Sequence, residues 1–367
     1  MSAWRLLGHE RAVRALRGSL AAGRLAPAYL LTGPRGVGRR SLALRLAQEL
    51  WCERDRKPCF ECASCRRLDD TSGLWRVAVR RGHPDEARDP EKRENVRGPA
   101  REVRYVLTSY FDLQVLRRAD HRRDIPIAGV REFSRELYLK PAHGSVRIGL
   151  VDDAHLLNED AANALLKTLE EPSGHALIVL IAPRLHDVIP TVASRCRHIE
   201  LAPVPAGAIA AHLVAALGAE PDTAAAIAEI SRGRPGWAIR MARDPAAWSA
   251  DQQRRAAAQA FEGEDAYTRF AAIGELLGGG PMLAQAERAY AWLDSLETTQ
   301  AELLRDSMRR VGPDSGPGDA AALGAAVARL LRVRATRRSV MRNVTPRLAC
   351  EDLALRPEST GGADRAP

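Results

Sequence analysis

Lysine is nearly missing from this chain. Four lysines, Lys57, Lys92, Lys140 and Lys167, stand among 55 basic residues, so its cations are almost all arginine. No apolar run reaches the roughly 20 residues that a membrane-spanning helix needs, so no membrane partner is expected. The opening "MSAWRLLGHERAVRAL" carries charges throughout and lacks the apolar centre of a signal peptide, which points to a cytoplasmic chain. Aromatic residues make up only 5%. What remains is globular: 46% of residues are hydrophobic, which excludes a disordered chain, and 367 residues are enough for two or three domains. The net charge of +9 favours an anionic partner such as nucleic acid, although a codon bias toward arginine gives the same excess.

Cysteine is also scarce outside one place. Four of six lie between Cys52 and Cys65, in "CERDRKPCFECASC". Cys59, Cys62 and Cys65 make a C-x2-C-x2-C run, and Cys52 adds a fourth soft ligand. Four thiolates suit tetrahedral zinc and leave no position for water, so the implied site is structural. Cys196 and Cys350 lie far off and are expected as core thiols.

The third absence is the most telling. "AYLL" and Thr32 read as a short buried strand, "GPRGVGRRS" (33–41) as a glycine loop, and "SLALRLAQELW" as a helix, the context of a phosphate-binding loop. Gly33, Gly36 and Gly38 allow the backbone to turn its N–H groups toward an anion. An active loop then needs lysine on the phosphates and Ser/Thr on magnesium. Those places hold Arg39 and Arg40, and Ser41 comes one residue too late. A guanidinium cannot ligate a cation, and arginine is a poor stand-in for lysine. The pattern implies a P-loop fold that no longer supports hydrolysis. Nucleotide binding without hydrolysis stays open, because the backbone cradle and two cations remain.

Further along, Val146–Val151 reads as a second strand closed by Asp152 and Asp153. Such acids hold magnesium and activate water in active P-loop enzymes. A bare Asp-Asp pair after a strand is commonly a turn, but at this distance from a P-loop it reads as the remnant of an acidic site. Asp153 is one methylene shorter than the usual glutamate. Asn158 is the expected N-cap of a helix whose apolar face is Ala162, Leu165, Leu166 and Leu169. "ALIVLIA" (176–182) reads as a third strand buried on both faces, "HIEL" (198–201) as a fourth. Pro183 stands where a polar sensor of the γ-phosphate belongs. Alternating strands and helices imply a doubly wound α/β domain. From about Pro203 short Ala-rich helices take over, as a small unit over 206–243 and a larger one over 250–355 broken at 278–281 and 312–319. The charged stretch 84–124 reads as an irregular surface insertion, and the tail 356–367 as disordered.

Taken in order, these segments resemble the clamp-loader branch of the AAA+ family, in the bacterial gamma/tau and delta-prime group of DNA polymerase III. The resemblance is carried by "LLGHERAVRALRGSLAAGRLAPAYLLTGPRGVGRRSLA", the four-cysteine insertion, "GHPD", the run from "IPIAGVREF" through "VDDAHLLNEDAANALLKTLEEPSGHALIVLIA", "IPTVASRCRHIEL" and "NVTPRLACEDLAL". It implies an AAA+ P-loop domain over 1–202 with a zinc module at 52–65, a helical lid over 203–247, a helical collar over 248–355 and a tail over 356–367. The altered loop, and Gly236 where an active member places a second sensor arginine, favour the delta-prime type. The resemblance also implies that Arg195, in Ser-Arg-Cys, reaches into a neighbour's ATP site as an arginine finger. The implied partners are gamma/tau-like motor subunits and a delta-like subunit in a hetero-pentamer, the sliding clamp and primer-template DNA. Two rivals remain. A gamma/tau-type motor that hydrolyses ATP calls for the missing lysine. A zinc-dependent DNA-binding protein calls for aromatic residues among the basic ones near the cysteines, where Phe60 is almost alone.

Overall fold

Among the described residues, six strands form one sheet: β1 (Ala28–Thr32), β2 (Tyr105–Tyr110), β3 (Leu113–Arg118), β4 (Arg147–Val151), β5 (Ala176–Ala182) and β6 (Arg197–Glu200), in the order β2-β3-β4-β5-β1-β6. The computed structural model describes residues 4–69, 105–110, 112–118, 124–142, 144–263, 265–280, 282–310, 317–341 and 344–355. All neighbours pair in parallel except β2 with β3.

Side chains alternate across a strand, and here both faces are apolar. Tyr29, Leu31, Leu177, Val179 and Ile181 point into one core, closed by helices α1 (Glu10–Ala21) and α2 (Arg39–Trp51). Ala28, Leu30, Ile178, Leu180 and Ala182 point into the other. That second face is covered by the helices Ile127–Leu137 (α4, after a short α3 over Ala63–Asp69) and Glu159–Glu170 (α5). Gly149 of β4 is required by this packing, since a Cβ there would lie 2.6 Å from the Phe133 ring of α4.

The expectation for 84–124 is corrected by β2 and β3. Residues 105–110 and 113–118 are strands, and β3 pairs with β4 inside the sheet. Leu113, Val115 and Leu116 are buried. The charges in the window hid two short apolar segments. One of those charges is itself interior: Asp112 is 1% exposed, accepts from the Ala142 and Gly144 N–H groups, and lies 3.6 Å from Arg147, which is also buried. Paired, hydrogen-bonded charges can be buried where single ones cannot. Residues 84–104 and 119–123, and the tail 356–367, lie outside the described residues.

The chain divides into two compact units, Met1–Arg243 and Asp244–Pro367. The first ends in α6 (Pro190–Ala193) and three short helices, α7 (Ala206–Leu217), α8 (Pro221–Ser231) and α9 (Pro235–Arg243). The second is helical: α10 (Pro245–Gly263), α11 (Ala266–Leu277), α12 (Met282–Arg310), α13 (Pro317–Met341) and α14 (Pro346–Leu355). Its core joins Phe261, edge-on to Trp292 at 5.0 Å, with Leu293, Leu296, Val333 and Cys350. Glu297 ties α12 to α13 by accepting from Arg334 and Arg337, each at 2.8 Å. Burial alone would raise its pKa; the two guanidinium hydrogen bonds outweigh that and hold it below the ordinary carboxylate value.

Candidate functional site: a rebuilt phosphate loop, a tethered arginine and a thiol cluster

The loop from Gly33 to Gly38 joins β1 to α2. Gly33 has φ +138°, donates its N–H to the Pro183 carbonyl at 3.0 Å, and would place a Cβ 2.5 Å from the Leu201 carbonyl oxygen. No other residue fits there. Gly36 and Gly38 also have positive φ, and Gly38 caps α2 without a side-chain partner for the first N–H groups. The fold of a phosphate cradle is therefore present.

The residues inside it have been rewired. Arg40 forms an ion pair with Asp152, which is 2% exposed at the end of β4. Arg39 is 7% exposed, and its Nη1 has no hydrogen-bond partner. Burial pulls its pKa below the usual guanidinium value, against the attraction of Asp153 and Asp152. Asp153 sits in the left-handed region (φ 57°), which Asp tolerates better than most residues, and opens a short 3-10 turn over Ala154–Leu156. Ser41 is exposed on α2.

One residue of this neighbourhood carries no signal that the sequence alone makes readable. His155 has a buried Nδ1 without a partner, and burial lowers its pKa against the pull of Asp153 and Asp187. Gly236, marked in the sequence by its missing side chain, acts through its backbone. Its N–H, at the start of α9, donates to the Gly36 carbonyl at 2.8 Å, and a Cβ on Gly236 would stand 3.0 Å from that oxygen. Helix α9 thus seats its own backbone on the loop.

Arg195 follows α6. Its guanidinium is held by Glu170 of α5, Nε to Oε1 at 2.8 Å and Nη2 to the same oxygen at 2.5 Å, while Nη1 donates to the Thr191 carbonyl at 2.9 Å. The side chain is about one-third exposed. It lies apart from the loop of its own chain in sequence and in hydrogen bonding.

The four cysteines come together. The Sγ atoms of Cys52, Cys59, Cys62 and Cys65 all lie within 4.8 Å of one another. Cys59 and Cys65 are 3.9 Å apart, close to the edge of about 3.8 Å that a tetrahedron with Zn–S bonds of ~2.3 Å requires. Backbone N–H groups already point at sulfur: Cys59 N–H at Cys52, Glu61 and Cys62 N–H at Cys59, Cys65 N–H at Cys62. The N–H groups of Cys62 and Glu61 draw the Cys59 thiol down to about 6, whereas burial pushes Cys65 up. The buried Gln48 donates to the Cys65 carbonyl at 2.7 Å and ties the cluster to α2. Phe60 lies against two guanidinium groups, Arg5 at 4.2 Å and Arg45 at 4.9 Å. The donor set and its geometry fit a thiophilic metal. Cys196 and Cys350, by contrast, are each raised to about 12 by burial.

Residues 8–205, just over half of the chain, match the family model described as DNA polymerase III, delta subunit. The DNA polymerase III delta' subunit of Pseudomonas aeruginosa is 32% identical over 202 residues, 54% of this chain and 50% of that protein. The tau subunit of Salmonella typhimurium is 29% identical over 198 residues, 53% of this chain and 25% of that protein. The chain thus spans half or less of the length of the curated relatives described here. Among solved structures, the Thermotoga maritima RuvB Holliday junction branch migration motor aligns at 15% identity over 88% of this chain and 86% of that one, with a TM-score of 0.39. No helix among the described residues is long and apolar enough to cross a membrane. By its family model over residues 8–205, the chain belongs to the DNA polymerase III delta-subunit family, among the gamma, tau and delta' clamp-loader relatives.

Proposed function

We propose that the chain is a non-hydrolysing clamp-loader subunit of the delta-prime type, which supports ATP-driven loading of a sliding clamp onto primed DNA without turning over ATP itself. One observation carries the proposal: Arg40 is paired with Asp152. In a P-loop ATPase the residue after the lysine and the acid after the second strand hold the same magnesium ion. Here the first is a cation and the second its counter-ion, so the two positions satisfy each other. The Gly236 contact with Gly36 supports the same conclusion, because a backbone N–H of α9 holds the loop by its Gly36 carbonyl where an active member's helix would offer a sensor arginine. Restoring a motor function would require both the Arg40 pair and the missing lysine to be reversed.

In this role Arg195 acts in trans. A guanidinium facing a neighbour's ATP stabilises the charge that develops on the transferred phosphoryl group. Residues 203–247 serve as the lid and 248–355 as the collar that joins the other subunits, gamma/tau-like motors and a delta-like subunit, in a cytoplasmic hetero-pentamer. Cys52, Cys59, Cys62 and Cys65 hold a structural zinc. The excess of arginine helps the ring engage primer-template DNA.

The test is reconstitution. Clamp retained on a circular primed template is measured with motor subunits, a delta-type subunit, clamp and ATP, with and without this chain. Loading is expected only when the chain is present. Loading at the same rate without it contradicts the proposal.

A further inference from the structure

Glu170 is the last residue of α5, and a second carboxylate, Glu171, caps the helix. The C-terminal end of a helix carries negative partial charge, so acidic side chains there are unfavourable unless something offsets them. The offset for Glu170 is Arg195. Both side chains are well exposed, 48% for Glu170 and 36% for Arg195. An ion pair this wet adds little to folding. A pairing that breaks a helix-end rule with little return in stability points to a role in orientation.

The geometry shows what is oriented. A guanidinium has five N–H donors in one plane. The Nε–H bond to one oxygen of Glu170 and the Nη1 bond to Thr191 engage two of them, and Nη2 stands 2.5 Å from that same oxygen as an ion pair. Each terminal nitrogen still keeps an N–H, and a bidentate grip on an anionic oxygen pair uses two such donors. The tether is stiff at its far end. Asn158 caps α5 by accepting from the Ala161 N–H at 2.9 Å and anchors it by donating to Asp124 at 2.9 Å.

We propose that Glu170 is a positioning residue for Arg195: its carboxylate fixes the guanidinium plane so that these two N–H groups face the phosphoryl oxygens of a neighbouring subunit's nucleotide. This rests on the trans role of Arg195. Glu170 touches no reacting atom and acts only through the arginine.

The experiment uses the full ring, with the P-loop lysine intact only in the motor subunit that borders this chain, and follows ATP hydrolysis at that one site. Glu170→Ala is expected to lower kcat about tenfold, in line with the cost of misplacing a reacting group. KM for ATP is expected to stay within about twofold, since a transition-state contact is lost and not ground-state binding. Glu170→Gln keeps the accepting oxygen and is expected to retain most of the rate. In an Arg195→Ala background, Glu170→Ala is expected to change nothing further. Three results overturn the proposal: an unchanged kcat in Glu170→Ala while Arg195→Ala is slow, a faster kcat, which would make Glu170 a parking site that competes with phosphate, or an equal loss in the Arg195→Ala background. If Arg195→Ala itself leaves the rate unchanged, the trans role fails and this inference with it.

Discussion

Arg195→Ala is expected to slow ATP hydrolysis at the bordering motor site by about a thousandfold, the usual worth of an arginine finger. The loss belongs to the transition state. Charge accumulates on the phosphoryl oxygens as the bond to the leaving group lengthens, and a fixed guanidinium meets that charge without having to reorganise. Affinity of the ring for ATP is expected to change far less than the rate. Arg195→Lys is expected to recover little, because an ammonium on a flexible stem does not reproduce a planar, two-pronged donor. The variant should fold normally: Arg195 is partly exposed and its bonds are to an exposed carboxylate and one carbonyl. An unchanged melting temperature with a lost rate separates the catalytic effect from a structural one. A rate within threefold of the parent at the isolated site contradicts the trans role.

The second large effect concerns the thiol cluster. Purified chain is expected to carry about one zinc, and Cys65→Ser is expected to lose it, because a serine hydroxyl is a far weaker ligand than a thiolate. Cys65 is the fully buried member, its sulfur lies 3.9 Å from that of Cys59, and its carbonyl is the one held by Gln48. Metal binding to such sites is worth about 10–16 kcal/mol in isolated zinc peptides, and in them it is the folding free energy. Residues 52–69 present little else to bury: apart from the cysteines, Leu68 is the main buried apolar side chain of that stretch. Loss of metal should therefore expose this stretch to protease while the sheet, whose two cores take only Leu68 from it, remains folded. Cys196→Ser serves as the control and should keep its metal. Metal content is read by elemental mass spectrometry. A chain that holds no metal with all four thiols intact, or a Cys65→Ser variant that keeps it, contradicts the assignment.

How much of this was legible beforehand depended on the range over which the physics acts. The strand–loop–helix at 28–51 was readable because its glycines and its apolar run are contiguous. So was the cap at Asn158, where the side chain and the Ala161 N–H it serves are three residues apart. β5 was readable as seven apolar residues with no polar break. β2 and β3 were not, because the charged flanks of 84–124 diluted a pattern only six residues long in each strand. The pairings that define the candidate site were hidden for a different reason. Arg40 and Asp152 are 112 positions apart, Gly36 and Gly236 are joined only by the fold, and Glu170 is 25 residues from Arg195. The sequence made it clear that Arg40 could not hold magnesium. It took the structure to show that Arg40 neutralises the acid that would have held it.

The most direct measurement is ATP turnover by the purified chain alone, with and without primed DNA, beside the double variant Arg39→Lys, Arg40→Thr. The unmodified chain is expected to show no turnover above the protein-free background, because its magnesium acid is already paired and its phosphate lysine is gone. Turnover well above background that disappears on replacing Asp152 would contradict the non-hydrolysing role and make the chain a motor subunit.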